Sequence, residues 1–226
     1  MAEKSFLAVL TGDLIKSSSL SPDELDQVRE LVLASVRELD SWAPSDSPVI
    51  VGSAEFFRGD SWQAALVQPQ FGLRAALYLR AKLIHQGLSD SRVAIGLGSV
   101  DSIETTRISL SSGESFQLSG HALDNLSKQI DLTIAIAVER EAILSEWLPV
   151  VAQLCDGYLS RWTQRQAEVM TLLLHPDKPT HQEIANQLSV TRQTVTATVE
   201  SAQGSALEVA VETFENSLTK LIEARP

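Results

Sequence analysis

The chain has 226 residues, 44% of them hydrophobic and 21% charged, close to the globular average, so a sizeable core is within reach and a disordered tail or low-complexity protein is excluded. With 29 acidic against 18 basic residues the formal net charge is −11. That excludes a protein that coats nucleic acid by broad phosphate neutralisation, so any DNA contact has to be local. The single cysteine, Cys155, and four scattered histidines (His85, His121, His175, His181) give neither a disulfide framework nor zinc-ligand spacing. The early apolar run of residues 6–10 is too short to span a membrane and has no small-residue cleavage site after it, so a cytoplasmic setting without membrane contact is expected.

Residues 5–12 form a short apolar run closed by glycine, which predicts a buried strand ending on the carboxylate of Asp13. Ser21-Pro22 with Glu24 three residues on, followed by Leu25, Val28, Val32, Val36 and Leu39 at helical spacing, predicts a capped helix over about 21–41. The segments 49–57 and 62–67 flank Arg58-Gly59-Asp60 in the manner of a hairpin, which puts a second carboxylate at its tip. An amphipathic helix over 69–87 and a strand over 92–98 complete the order β-α-β-β-α-β. That order is ferredoxin-like, and it makes the end of the first strand a neighbour of the hairpin. A helix over 117–130, a strand over 131–138 and a helix from 139 to 158 follow, and the rest reads as helices near 163–174, 180–188, 191–202 and 204–223. The acidity belongs to the first part: residues 1–156 hold 12 basic and 21 acidic residues, while 157–226 hold 6 and 8.

Two constellations carry chemistry. In the first, Asp13 and Asp60 meet at one sheet edge, where two carboxylates can hold a divalent cation, Mg as the expected ion, against a nucleoside triphosphate. Gly12 and Gly59 precede them and would let backbone or phosphate approach closely. In the second, Ile184, Leu188, Val190 and Val195 are spaced to lock two short helices at a steep angle, with Ala185 small at their contact. Thr191 caps the second helix, whose first turn is expected to present Arg192, Gln193 and Thr196 to base edges of double-stranded DNA. Basic residues are few here, with only Lys178 and Arg192 between 170 and 202, so a homodimer is expected to double the phosphate contacts. The stripe Leu207, Val211, Phe214, Leu218 and Leu221 fits a coiled-coil seam for that dimer, and equally fits packing back onto the preceding helices.

The segments 8–15, 56–62 and 92–100 resemble the core of class III nucleotide cyclases and the SatD family of bacterial proteins, and residues 162–202 resemble the helix-turn-helix of bacterial regulators. The first resemblance implies a palm-type domain with Asp13 and Asp60 as metal aspartates. It aligns Asp124, or Asn125 one residue on, with the cyclase transition-state asparagine, and Lys128 with its arginine. Phe56 and Gln117 fall where adenine recognition uses lysine and aspartate, so the purine pocket departs from the pattern.

The expected architecture is therefore α+β: a ferredoxin-like (βαββαβ) palm domain followed by an all-α helix-turn-helix domain. Its parts are the palm over 1–138, a helical linker over 139–160, the DNA-binding unit over 161–203 and a C-terminal dimerisation helix over 204–226. The function expected first is a DNA-binding transcriptional regulator whose palm senses a nucleotide or divalent metal. The alternatives are a Mg-dependent nucleotidyl cyclase or transferase using Asp13 and Asp60, and a non-catalytic dimerisation scaffold.

Overall fold

The computed structural model describes residues 5–44, 46–137 and 142–224. The opening run becomes β1 (Phe6–Leu14), which carries Asp13 inside the strand instead of just after it. A left-handed Lys16 and a 3-10 turn (Ser17–Ser19) lead to α1 (Pro22–Glu38). The Ser21 hydroxyl and the Glu24 carboxylate form a reciprocal capping box around Pro22 at the first helical position, so the sequence signal and the helix start coincide.

Strands β2 (Ile50–Phe57) and β3 (Ser61–Leu66) form the hairpin, and α2 (Gly72–Gln86), β4 (Ser91–Ser99), α3 (Glu114–Asp124) and β5 (Leu132–Ile136) follow. The sheet order is β2-β3-β1-β4-β5. The first three pairings are antiparallel and β4–β5 is parallel. Strand alternation divides the core in two. Ala8, Leu10, Trp62, Ile95 and Leu97 bury against the helices on one face, α1 and α2 among them, whereas Leu7, Val9 and Ala65 bury with Val100, Ile108 and Phe116 on the other.

The helical remainder comprises α4 (Ala142–Leu159), α5 (Gln164–Leu173), α6 (His181–Gln187), α7 (Arg192–Ser201) and α8 (Gly204–Glu223). The boundary expected at 138/139 lies outside the described residues. Helix α4, expected as a linker, is a packed structural element: it lies against β5 and α2. Two buried arginines of α2 tie the helices down. Arg74 forms a bidentate pair with Glu215 of α8 and donates to the Leu174 carbonyl. Arg80, fully buried, donates twice to Asp90 and once, at 2.7 Å, to Asp156 of α4.

The expectation of a coiled-coil seam on α8 is corrected here. Leu207, Val211, Phe214 and Leu218 are buried within the chain and Leu221 packs beside them, in a core continuous with that of the sheet. Packing satisfies the stripe before a second copy could. Among the described residues, no helix is long and apolar enough to cross a membrane.

Candidate metal and nucleotide site

Register fixes the site. Asp13 of β1 lies opposite Ser61 of β3 on one side and opposite Arg92 of β4 on the other. Directly opposed residues share a sheet face, so a carboxylate, a hydroxyl and a guanidinium line one edge. Asp60 precedes Ser61 at the end of the Arg58-Gly59 turn, where both central residues have positive φ (52° and 95°), the geometry of a tight hairpin turn that Gly59 adopts without strain. Arg29 of α1 donates to the Gly59 carbonyl at 3.0 Å and steadies that turn.

The two carboxylates are oriented by hydroxyls. Ser61 donates to Asp13 Oδ1 at 2.5 Å, and Ser17 donates to Asp60 Oδ2 at 2.6 Å. The backbone links them further, since the Leu14 N–H donates to the Asp60 carbonyl at 3.2 Å. Asp13 and Asp60 therefore lie at the same end of the central strands, both with half-exposed side chains.

Arg92 is the residue that sequence reasoning missed. Its Nη2 donates to the Leu126 carbonyl at 2.7 Å, while its Nε is buried without a hydrogen-bond partner. A buried donor without an acceptor is costly, so the Arg92 Nε carries an unmet hydrogen-bonding demand next to the strand position that faces Asp13. Its only sequence signal was a charge at the first turn-proximal position of an otherwise apolar strand.

The remaining expected ligand residues are distributed unevenly. Helix α3 ends at Asp124, six residues short of the expected 130, so Asp124 is its last residue and Lys128 lies in the loop beyond. The Arg92–Leu126 bond brings that loop to the same end of the sheet, with Asp124 and Lys128 both exposed. Gly12 is corrected: a Cβ there would lie 2.5 Å from the Trp62 indole, so this glycine makes room for the core and not for phosphate. Trp62 itself is fully buried, with its indole N–H donated to Ser91, and cannot stack a base.

A resident metal would find only two carboxylates here, and among the described residues no group of three or more His, Cys, Asp or Glu stands ready to hold an ion. Two hard oxygen donors suit magnesium that keeps waters and takes its remaining ligands from a triphosphate. The residues present therefore fit a metal that arrives with its nucleotide. Cys155 is no nucleophile, because burial pushes its thiol up to about 12.

At the other end of the molecule α6 and α7 meet across a four-residue turn, residues 188–191. Ser189 is left-handed there (φ 54°), and the Val190 N–H donates to the Ala185 carbonyl at 3.0 Å. Thr191 uses its hydroxyl to cap α7 through the Thr194 N–H at 3.1 Å. Arg192 and Gln193 are exposed on the first turn. Thr196 departs from expectation: it is half-buried and its hydroxyl bonds the His181 ring at 2.9 Å, because α6 crosses over it. Lys178 is paired with Glu212 at 2.7 Å, which thins the positive charge further.

No protein-family model matches the chain, and no curated protein resembles it, so the SatD and helix-turn-helix resemblances have no family match behind them. Among solved structures the chain is similar to two structures of a bacterial light-regulated adenylyl cyclase. One has 11% identity and a TM-score of 0.39 over 59% of this chain and 43% of that one; the other has 12% identity and a TM-score of 0.40 over 59% and 44%. It is also similar to the guanylyl cyclase Cya2, with 15% identity and a TM-score of 0.38 over 59% of this chain and 76% of that one. The chain thus spans less than half the length of the light-regulated cyclases it matches.

Proposed function

We propose that the Asp13–Asp60 edge binds a nucleoside triphosphate through a divalent cation, for nucleotidyl transfer of the cyclase type. One observation carries this reading: the strand register sets Asp13 between Ser61 and Arg92, with Asp60 at the adjoining turn and tied by its carbonyl to the end of the same strand. When bound, the metal supplies charge neutralisation of phosphate oxygens and support for the attacking and leaving oxygens. The chain's own part is to hold it. Ser61 and Ser17 fix the two carboxylates, Gly59 permits the turn that presents Asp60, and the half-buried Arg92 supplies positive charge opposite Asp13 for phosphate. Asp124 and Lys128 belong to the same reading as groups at the rim. Lys128 acts there as a point charge without the bidentate fork of arginine.

The test is a melting curve of the whole chain with Mg and each nucleoside triphosphate, beside Asp13→Asn/Asp60→Asn, with the mixture analysed for cyclic or other new nucleotide products. A ligand at about a hundredfold its dissociation constant adds roughly 2.7 kcal/mol, which is readily seen as a shift. A shift abolished by the double substitution, accompanied by product, is the expected result. Binding without product would make the edge a sensor, and no shift with any nucleotide would sink the reading.

A second reading, DNA binding through α7, is supported by the capped helix pair and the outward Arg192 and Gln193. In it the sheet half, proposed as residues 1–138, sets the geometry of the 161–203 unit in a cytoplasmic homodimer. Arg192→Ala should then weaken binding to DNA from the protein's own upstream region at low salt, where electrostatic association is strongest, while leaving nucleotide binding intact.

A further inference from the structure

Helix α4 carries an apolar stripe that the described chain leaves open. Ile143 is 74% exposed, Trp147 60% and Leu154 61%, and Val150 and Tyr158 continue the same face at spacings of three and four. Beside this ridge runs a groove of about 400 Å³ between α4 and α8. Its floor includes Leu148, Leu207 and Phe214, and its far wall is built from small α8 residues, Ala206, Ala210, Thr213 and Ser217. A ridge of large side chains and a groove with a small-residue wall thus lie on one face. A two-fold axis through that face would seat each copy's ridge in the other's groove, the self-complementarity that an isologous interface requires.

We propose that this face docks a second copy of the chain, with α4 and α8 of both copies forming a four-helix interface. The area suits that occupant. At roughly 150–250 Å² for a large side chain, the exposed fractions leave on the order of 500 Å² of apolar surface on the ridge of each copy. That is in the upper range of the roughly 300–600 Å² found for the largest patch on a typical monomer. Trp147, Leu154 and Tyr158 also form the near wall of the groove, so only its floor and far wall add to this area, toward the roughly 800 Å² per partner of a standard interface.

Charge selects the occupant as well. Between residues 142 and 160 the only charged side chains are Glu146 and Asp156, and Asp156 is turned inward onto Arg80. A helix that lies on anionic lipid needs basic residues along its polar face, and a chain of net charge −11 is repelled by such a surface. The self-association expected on the buried stripe of α8 is thereby transferred to α4 and to the adjoining, small-residue face of α8. It stands independently of the nucleotide reading.

Sedimentation velocity of the full chain tests this up to about 100 µM, since interfaces of standard size range from micromolar to picomolar affinity. The wild type is expected at twice the chain mass. Trp147→Glu/Leu154→Glu should run at the single-chain mass, and so should Ala210→Arg, which blocks the groove and leaves α4 untouched. Far-UV circular dichroism and a urea midpoint confirm that each variant is folded, and Ala210→Arg decides if the α4 variant is not. A monomeric wild type, or a dimer that survives in folded Ala210→Arg, overturns the proposal. So does a monomeric wild type that floats with phosphatidylcholine vesicles, which would assign the face to lipid.

Discussion

Two arginines near one end of the sheet show how differently the same side chain can be used. Arg80 is fully buried and each of its three guanidinium nitrogens is hydrogen-bonded: Asp90 takes two bonds, Asp156 one, and Asp131 stands at 3.8 Å. Asp156 also accepts the Asp131 N–H at 2.8 Å, so the cluster closes on itself across α2, β4, β5 and α4. Burial, together with the like charges of Asp156 and Asp90, holds the Asp131 carboxyl above its usual range even with Arg80 nearby. Arg92 has one hydrogen bond, a free Nε and a half-exposed carboxylate opposite. A guanidinium with every nitrogen paired to a carboxylate is committed to the fold, whereas the half-buried Arg92, with one carbonyl partner, is not so committed.

Breaking the closed cluster should have the largest effect. Arg80→Met removes the partner of buried Asp156 and half-buried Asp90, and stranding a buried charge costs about 3–5 kcal/mol. Urea unfolding measures it. A loss below about 1 kcal/mol would mean that water reaches the cluster and that the contrast with Arg92 is false. The two glycines sharpen the comparison at the next level. Gly12→Ala drives a Cβ into the Trp62 indole, an overpacking expected to cost about 1–3 kcal/mol. Gly59→Ala has open space around its Cβ but strains the turn at φ 95°, a smaller stability loss of about 1 kcal/mol. Only Gly59→Ala should displace Asp60, and so only it should weaken nucleotide binding beyond what its stability change explains.

How much of this was legible follows from what each signal depends on. Strands at 6–14, 50–57, 61–66 and 91–99 were readable because apolar runs and turn residues are local. The approach of Asp13 and Asp60 was readable because the element order makes the hairpin a neighbour of the first strand. Arg92 was not, since its importance lies in a register that pairs it with Asp13, and a single-residue slip would turn it to the other face. Arg80 and Asp156 lie 76 positions apart and carry no shared local pattern. The α8 stripe was ambiguous in principle, because burial against the same chain and against another copy demands the same spacing. The α4 stripe, read only as a linker, shows the converse: an apolar periodicity identifies a face that needs covering without saying which faces the chain will cover.

The smallest stability effect and the most discriminating one belong to Arg92→Gln. Its side chain is half-buried and makes one hydrogen bond, so the substitution should change stability by no more than about 1 kcal/mol. A hydrogen bond to a charged group is worth about 1.5–3 kcal/mol, so its loss from a bound triphosphate should weaken affinity by roughly ten- to a hundredfold. Titration calorimetry with Mg and the nucleotide reads that directly. Arg92→Lys keeps the charge and loses the planar fork, and should fall between the two. Binding that survives in Arg92→Gln and is lost in Asp13→Asn would leave the carboxylates as the site and reduce Arg92 to a prop for the loop at Leu126. Loss in both, with the fold intact, would make the Arg92 guanidinium part of the triphosphate site.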